Sequence, residues 1–212
     1  VPLLDDDRRY SWAQAKQYVI DSVAPLGVDY VAQMRGAFDG GWVDVLENEG
    51  KRNGAYSPPV YGVHPYVLMN YKDTRGDFFT LAHEMGHSLH TVLSHTSQPY
   101  VYSSYTIFVA EVASTLNEAL LLDHLVDRTD DPRERALLLQ HAIDSIVGTF
   151  YTQVLFADFE LRAHRLVESD EPITAAALDD IYGELMQAYY GDAITHDHAY
   201  RSTWARIPHL FR

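Results

Sequence analysis

The run His83-Glu84-Met85-Gly86-His87 constrains this chain more than any other segment. Two histidines at this spacing lie on the same face of a helix, where their imidazoles can converge on one ion. The flanking residues agree: Phe78, Leu81, Ala82, Met85, Leu89 and Val92 recur at helical spacing and form an apolar stripe. At about 100° per residue, His83, His87 and His90 fall on nearly the opposite side, with Glu84 at the edge of that face. The spacing predicts a helix that buries one face in a core and presents metal ligands to a cleft, with Asp77 as its N-cap. His-Glu-x-x-His on a helix is a zinc site in which the Glu reaches the water on the metal rather than the metal itself.

A hydrolytic zinc takes three protein ligands and keeps one position open. The extended motif with a third His is excluded, because position 90 is His rather than Gly and position 93 is Leu. The remaining candidates are His90, His95, Glu111, Glu118 and His124. Residues 105–122 are apolar nearly all round, which predicts a buried helix. Along it, Glu111, Ser114, Thr115 and Glu118 make one narrow polar strip. Two carboxylates on such a helix are costly unless a cation compensates them. We therefore assign Glu111 as the third ligand. Glu118, two turns on, becomes the acceptor for a ligand histidine's second N–H, or else one half of a structural salt bridge. His90 is a pocket residue or a support for a ligand.

Composition narrows the class. The chain has no Cys, so any metal is held by nitrogen and oxygen, which suits a cytoplasmic setting. A formal charge of -14 argues against nucleic acid or an anionic membrane as partner. No apolar run approaches the roughly 18 residues of a membrane span. The 212 residues suffice for one core, and we expect a single domain over 1–212.

Along the chain, helices are expected from Ser11 to Val23, Asp29 to Phe38 and Trp42 to Glu49, with a break at Ala24-Pro25-Leu26-Gly27. A Gly/Pro loop covers 50–59, and Tyr66–Tyr71 reads as a short strand. Further helices are expected at 105–126, from Pro132 to Glu168 with a possible interruption at Gly148, and from Ala175 to Tyr190. Asp131 and Thr174 stand at N-cap positions. The fold class is mainly α, a multi-helix domain with a small β element beside the zinc helix.

Several of these pieces together resemble one family. They are Gly-Lys-Arg-Asn-Gly-Ala-Tyr-Ser at 50–57, Pro-Tyr-Val-Leu-Met-Asn-Tyr at 65–71, His-Glu-Met-Gly-His-Ser-Leu-His at 83–90, Phe-Val-Ala-Glu-Val-Ala-Ser-Thr-Leu-Asn-Glu at 108–118 and Trp-Ala-Arg-Ile-Pro-His at 204–209. In this order they resemble the catalytic region of oligoendopeptidase F, in the thimet oligopeptidase-like (M3) zinc metallopeptidases. The resemblance implies a thimet oligopeptidase/neurolysin-like catalytic domain and one zinc per chain. It implies His83, His87 and Glu111 as ligands, Glu84 as general base, and His209 as an aid to the transition state.

The activity implied is hydrolysis of internal bonds in short oligopeptides. Tyr200 is a weaker candidate donor for the developing oxyanion, and His196 and His198 could line the cleft. The family places a small sheet beside its zinc, so 56–71 is expected to offer a substrate-binding edge. In the flanking loop, Gly54 would permit close backbone approach and Tyr56 would face the cleft. In the family a Tyr-rich stretch follows the Trp-Ala-Arg-Ile-Pro-His segment and a helical lobe precedes the catalytic region. Both ends of this chain look cut, so the alternative reading is a catalytically incomplete zinc- or peptide-binding helical fragment.

Overall fold

The computed structural model describes residues 6–193, 198–207 and 210, with His198 by its backbone alone. The first helix, α1 (Trp12–Ser22), opens on a reciprocal cap in which Ser11 Oγ accepts from the Gln14 N–H and the Gln14 side chain returns to the Ser11 N–H. Ala24–Leu26 forms a single 3₁₀ turn, and Gly27, at φ 96°, redirects the chain into α2 (Val28–Asp39). Then come β1 (Val43–Asp44), β2 (Val67–Leu68), α3 (Arg75–Ser97) and α4 (Ile107–Val126). These elements belong to the first of two units, Val1–Leu139; the second is Gln140–Arg212.

The apolar stripe of α3 does what its spacing predicts. Phe78, Leu81, Met85 and Leu89 are each 0% exposed and pack with Val19, Met34 and Leu121 into the core of the first unit. Complete burial of one such side chain stabilises by about 1.5–3 kcal/mol, so the helix is anchored firmly along one face.

Its start differs from expectation. The N-cap is Thr74, and Asp77 occupies the N3 position, each side chain bonding the other's backbone N–H. A Thr-x-x-Asp pair forms the reciprocal box with its hydroxyl first, so the acidic residue lies one turn inside the helix. There it meets the partial positive charge of the unpaired amides.

Residues 42–49 form no helix. Gly41, at φ 71°, turns the chain into β1, which lies parallel to β2 with Val43 opposite Val67. The Val67, Met69 and Tyr71 amides donate to the Trp42, Asp44 and Val45 carbonyls at 2.8–2.9 Å. Val43 and Val45 pack on the core while Asp44 points away, so the alternation Val-Asp-Val carried the strand signal. On its other side β2 pairs with Tyr56, antiparallel to Leu68. The 66–71 strand is therefore interior, and the edge on that side belongs to residues 55–57, where the Ala55 and Ser57 amides make no backbone hydrogen bond among the described residues.

The expectation that α4 is buried all round also fails. Ile107 is 77% exposed, Phe108 80% and Val112 57%, whereas Ala110, Leu121 and Leu125 are buried. Uniform apolarity leaves no periodicity to say which side faces inward; the polar strip, turned towards α3, makes that choice.

A buried ion cluster secures the start of α3. Arg75 donates from Nη1 and Nη2 to Glu134 Oε1 and Oε2 at 3.0 and 3.1 Å, Tyr10 Oη donates to Glu134 Oε1 at 3.0 Å, and Arg8 lies 3.1 Å away. The Arg75 and Glu134 side chains are 6% and 7% exposed. Burial pushes the Glu134 carboxyl up, but the Arg75 and Tyr10 hydrogen bonds and the arginine charges outweigh it and hold it below its ordinary range. A carboxyl with a depressed folded-state pKa adds stability above its unfolded value and loses it as pH falls through the folded one. Glu134→Ala should therefore cost about 1.5–3 kcal/mol at pH 7, because Arg75 and Tyr10 lose a buried, charged hydrogen-bond partner while Asp6 still pairs with the Arg75 guanidinium. Urea denaturation should show that deficit shrinking as pH drops below the carboxylate range.

In the second unit, α5 (Pro132–Ile146, which begins before Leu139) leads through a π-helical turn at Val147–Tyr151 into α6 (Thr152–Glu168), then α7 (Ala175–Tyr190) and the short α8 (His198–Arg201). The interruption expected at Gly148 is that widened turn. Asp131 and Thr174 cap as expected, accepting from the Arg133 and Ala177 amides at 3.0 and 3.1 Å. Leu155, Phe159, Tyr182, Leu185 and Met186 form this unit's core. Asp179 on α7 holds the turn after α8, accepting from Ser202 Oγ at 3.0 Å and from Trp204 Nε1 at 2.7 Å. Among the described residues, no helix is long and apolar enough to cross a membrane.

Candidate metal centre

The ligand face of α3 and the polar strip of α4 meet. His83 Nε2 and His87 Nε2 stand 3.1 Å apart, and Glu111 Oε2 lies 3.4 Å from the first and 3.7 Å from the second. Two ligand atoms on a tetrahedral ion, each at roughly 2.0–2.1 Å, are separated by about 3.3 Å. The three donors thus already stand near coordination spacing. Two imidazoles and a carboxylate are also the hard-to-borderline donor set that suits a divalent zinc ion. Among the described residues this is the one group of three or more His, Asp or Glu side chains placed to hold a metal.

Two of the three donors have a side-chain support. His83 Nδ1 lies 2.6 Å from Glu118 Oε1; with its proton there, Nε2 presents a lone pair to the site. Glu111 Oε2 accepts from Ser114 Oγ at 2.8 Å. Burial lowers the proton affinity of His83, but the Glu118 hydrogen bond and charge, helped by Glu84 and Glu111, turn the net shift upward. For His87, burial and the neighbouring His83 drive the shift down, against Glu111.

Glu84 stands apart from the triangle. It is 6% exposed, and its Oε2 is buried with no hydrogen-bond partner among the described residues. A buried carboxylate oxygen without a partner is unusual enough to require a use. Burial pushes its carboxyl up to about 7, the Glu111 and Glu118 charges adding to the shift and His83 opposing it.

These residues line a cleft of about 560 Å³ within the first unit, whose other walls include Tyr56, Pro59, His95 and Ile107. Tyr56 is 41% exposed and faces it, as expected. Gly54 allows no close backbone approach, contrary to expectation, since a Cβ there would meet nothing within 4 Å; the position uses glycine for its left-handed backbone, φ 87°. His90 stays out of the donor group and stacks on Tyr105, centroids 3.9 Å apart. His95 lines the cleft without joining the ligands, and His124 packs edge-on against Tyr18. Tyr200 belongs to the second unit and is 42% exposed. His196 and His209 lie outside the described residues, as does the side chain of His198.

Sequence reasoning overlooked three contributors. Ser88 Oγ lies 2.8 Å from Ser57 Oγ and Thr91 Oγ1 lies 2.6 Å from Tyr105 Oη, so hydroxyls on the ligand side of α3 tie both cleft walls to the helix. Ser88 and Thr91 follow Glu84 and His87 at i+4, and that spacing was the available signal. The third contributor, Gly86, sits where α3 and α4 approach closely, a Cβ there lying 2.9 Å from Ser114 Cα.

A mainly helical unit with a small sheet and a His-His-Glu group on two packed helices is the architecture the sequence led us to expect. Residues 18–212 match the family described as Peptidase family M3, and the chain belongs to that family. It is 42% identical over 99% of its length to oligopeptidase PepF of Bacillus subtilis (strain 168), covering 32% of that protein. A crystal structure from Chlamydophila abortus superposes with a TM-score of 0.81 at 41% identity, over 99% of this chain and 35% of that one. Oligoendopeptidase-F from Enterococcus faecium gives a TM-score of 0.60 at 31% identity, over 95% of this chain and 29% of that one. The chain thus spans about a third of the length of the curated relatives it matches, 32% and 35% for the first two.

Proposed function

We propose that the intact protein is a zinc-dependent metalloendopeptidase that cuts internal bonds of short oligopeptides in the cytoplasm, and that residues 1–212 belong to its single catalytic domain. The observation that carries this reading is the triangle of His83, His87 and Glu111 donors, at 3.1, 3.4 and 3.7 Å, beside a Glu84 oxygen with no hydrogen-bond partner among the described residues. Membership of family M3 and relatives named as oligopeptidases point the same way.

His83, His87 and Glu111 would hold the zinc, which when bound supplies a Lewis acid able to polarise a scissile carbonyl and to make water nucleophilic near neutral pH. Glu118 keeps the His83 Nδ1 proton and so fixes the ring with Nε2 towards the site. Glu84 takes a proton from the attacking water and returns it to the departing amine nitrogen, so its carboxylate is restored at the end of the cycle. Tyr56 uses both its backbone groups on Leu68, so the alternate groups of Ala55 and Ser57 face away from β2. Both residues line the cleft, and an extended peptide added to that edge would be held by its main chain with little demand on sequence. His209 and, more weakly, Tyr200 are the proposed donors to the developing oxyanion.

Metal removal is the direct test. The intact protein should carry about one zinc per chain, lose cleavage of an internally quenched peptide after dialysis against a chelator, and regain it when zinc is returned. The apo protein should also melt at lower temperature, since ligand at a thousandfold excess over Kd adds about 4 kcal/mol. Cleavage that persists in protein shown to be metal-free would end this reading.

A further inference from the structure

The two helices that carry the donors touch at Gly86, between His83 and His87. A Cβ built there would lie 2.9 Å from Ala113 O, 2.9 Å from Ser114 Cα and 2.9 Å from Asn117 Nδ2. Two of those three atoms are backbone of α4, and non-bonded carbon contacts settle at about 3.5–4.0 Å. Nothing nearby can yield. Asn117 is 2% exposed, donates from Nδ2 to Ala113 O at 2.9 Å and sits 3.1 Å from Tyr30 Oη, so its amide has no free direction in which to swing. On the α3 side, Met85 and Leu89 are 0% exposed and keep the helix from sliding away from its core.

The contacted turn of α4 is the one that follows Glu111. Ser114, 0% exposed, presses its Cα against Gly86 while its Oγ donates to Glu111 Oε2 at 2.8 Å. Thr115 Oγ1 donates to the Glu111 carbonyl at 2.5 Å. The backbone spacing of the two helices and the aim of the third donor are therefore set by one contact.

We propose that Gly86 and Ser114 are positioning residues that fix the α3–α4 spacing and hold Glu111 at ligand distance from the two histidines before any ion arrives. This rests on the metal-centre reading above. Any side chain at position 86 must push α4 outward, and the edges from Glu111 to the histidines, already the longer two of the triangle, lengthen first. A larger triangle suits a larger ion, so the change should alter ion preference and not merely stability.

The test is chelator competition on the intact protein with zinc and, separately, with cadmium, a larger divalent ion of the same group. Gly86→Ala should weaken zinc at least 100-fold and cadmium clearly less. Ser114→Ala should weaken zinc about 10-fold, as expected when a supporting hydrogen bond to a ligand is removed. Gly36→Ala, where a Cβ meets nothing within 4 Å, should change neither ion. Far-UV circular dichroism of the metal-free proteins should stay helical throughout.

Zinc affinity within threefold of the parent in Gly86→Ala, or equal losses for zinc and cadmium, would overturn the proposal. Were Gly86→Ala to fail to fold, unchanged zinc affinity in Ser114→Ala would overturn it as well. A parent that binds no zinc overturns the metal-centre reading itself, and is distinguishable because no variant is needed to see it.

Discussion

Glu84→Gln should leave the intact protein with its zinc and reduce peptide turnover by roughly 10²–10⁴-fold, the usual contribution of a positioned general base. The substitution keeps the shape of the side chain and removes its negative charge and its ability to accept a proton. Metal content should hold because Glu84 lies outside the donor triangle, which His83, His87 and Glu111 complete. The fold should also hold, since Glu84 Oε2 makes no hydrogen bond among the described residues that the amide would break. Single-turnover cleavage of a quenched peptide, run beside a metal assay on the same sample, gives the answer. Turnover within a few-fold of the parent would remove Glu84 from the proton-transfer role. Loss of zinc along with activity would instead mean that its carboxylate takes part in holding the ion.

The second large effect separates the two carboxylates of α4. Glu111→Gln should weaken zinc retention by well over 100-fold, because a direct anionic ligand is replaced by a neutral amide. Glu118→Gln should cost about 10–100-fold, the range found when a ligand histidine loses its hydrogen-bond partner. The distances make the distinction: Glu111 Oε2 faces both Nε2 atoms at 3.4 and 3.7 Å, whereas Glu118 touches His83 through Nδ1 at 2.6 Å. Competition against a chelator of known affinity reads both values. Equal losses would show that the two roles are wrongly divided.

Helix α3 was legible because two periodic signals coincide in it. Its apolar stripe and its histidine stripe share one period on opposite faces, and every member of the first that anchors the core, from Phe78 to Leu89, is buried. The strip of Glu111, Ser114 and Glu118 on α4 was legible for a similar reason, since polar side chains stand out on an apolar helix. The first turn of α3 was less so. Thr74 and Asp77 are both competent N-caps, and only the backbone geometry at Thr74 shows which residue lies outside the helix. Residues 42–49 misled because a short strand has too few residues for its alternation to compete with helix propensity. Its hydrogen bonds to Val67 and Met69 come from a partner far along the chain.

By itself the sequence determined which residues are candidates to hold a divalent ion, which helices carry them, and the family to which those motifs belong. These are properties of composition and local period, and local period survives without knowledge of the partner. The tertiary structure decided what depends on two segments meeting. It put Glu111 within 3.7 Å of both histidines, gave Glu118 to His83 rather than to His87, exposed one side of α4, and narrowed the edge expected at 56–71 to residues 55–57. It also put Gly86 where a side chain has no room, because a hydrogen atom in place of a side chain matters only where another backbone comes within 2.9 Å of the missing carbon.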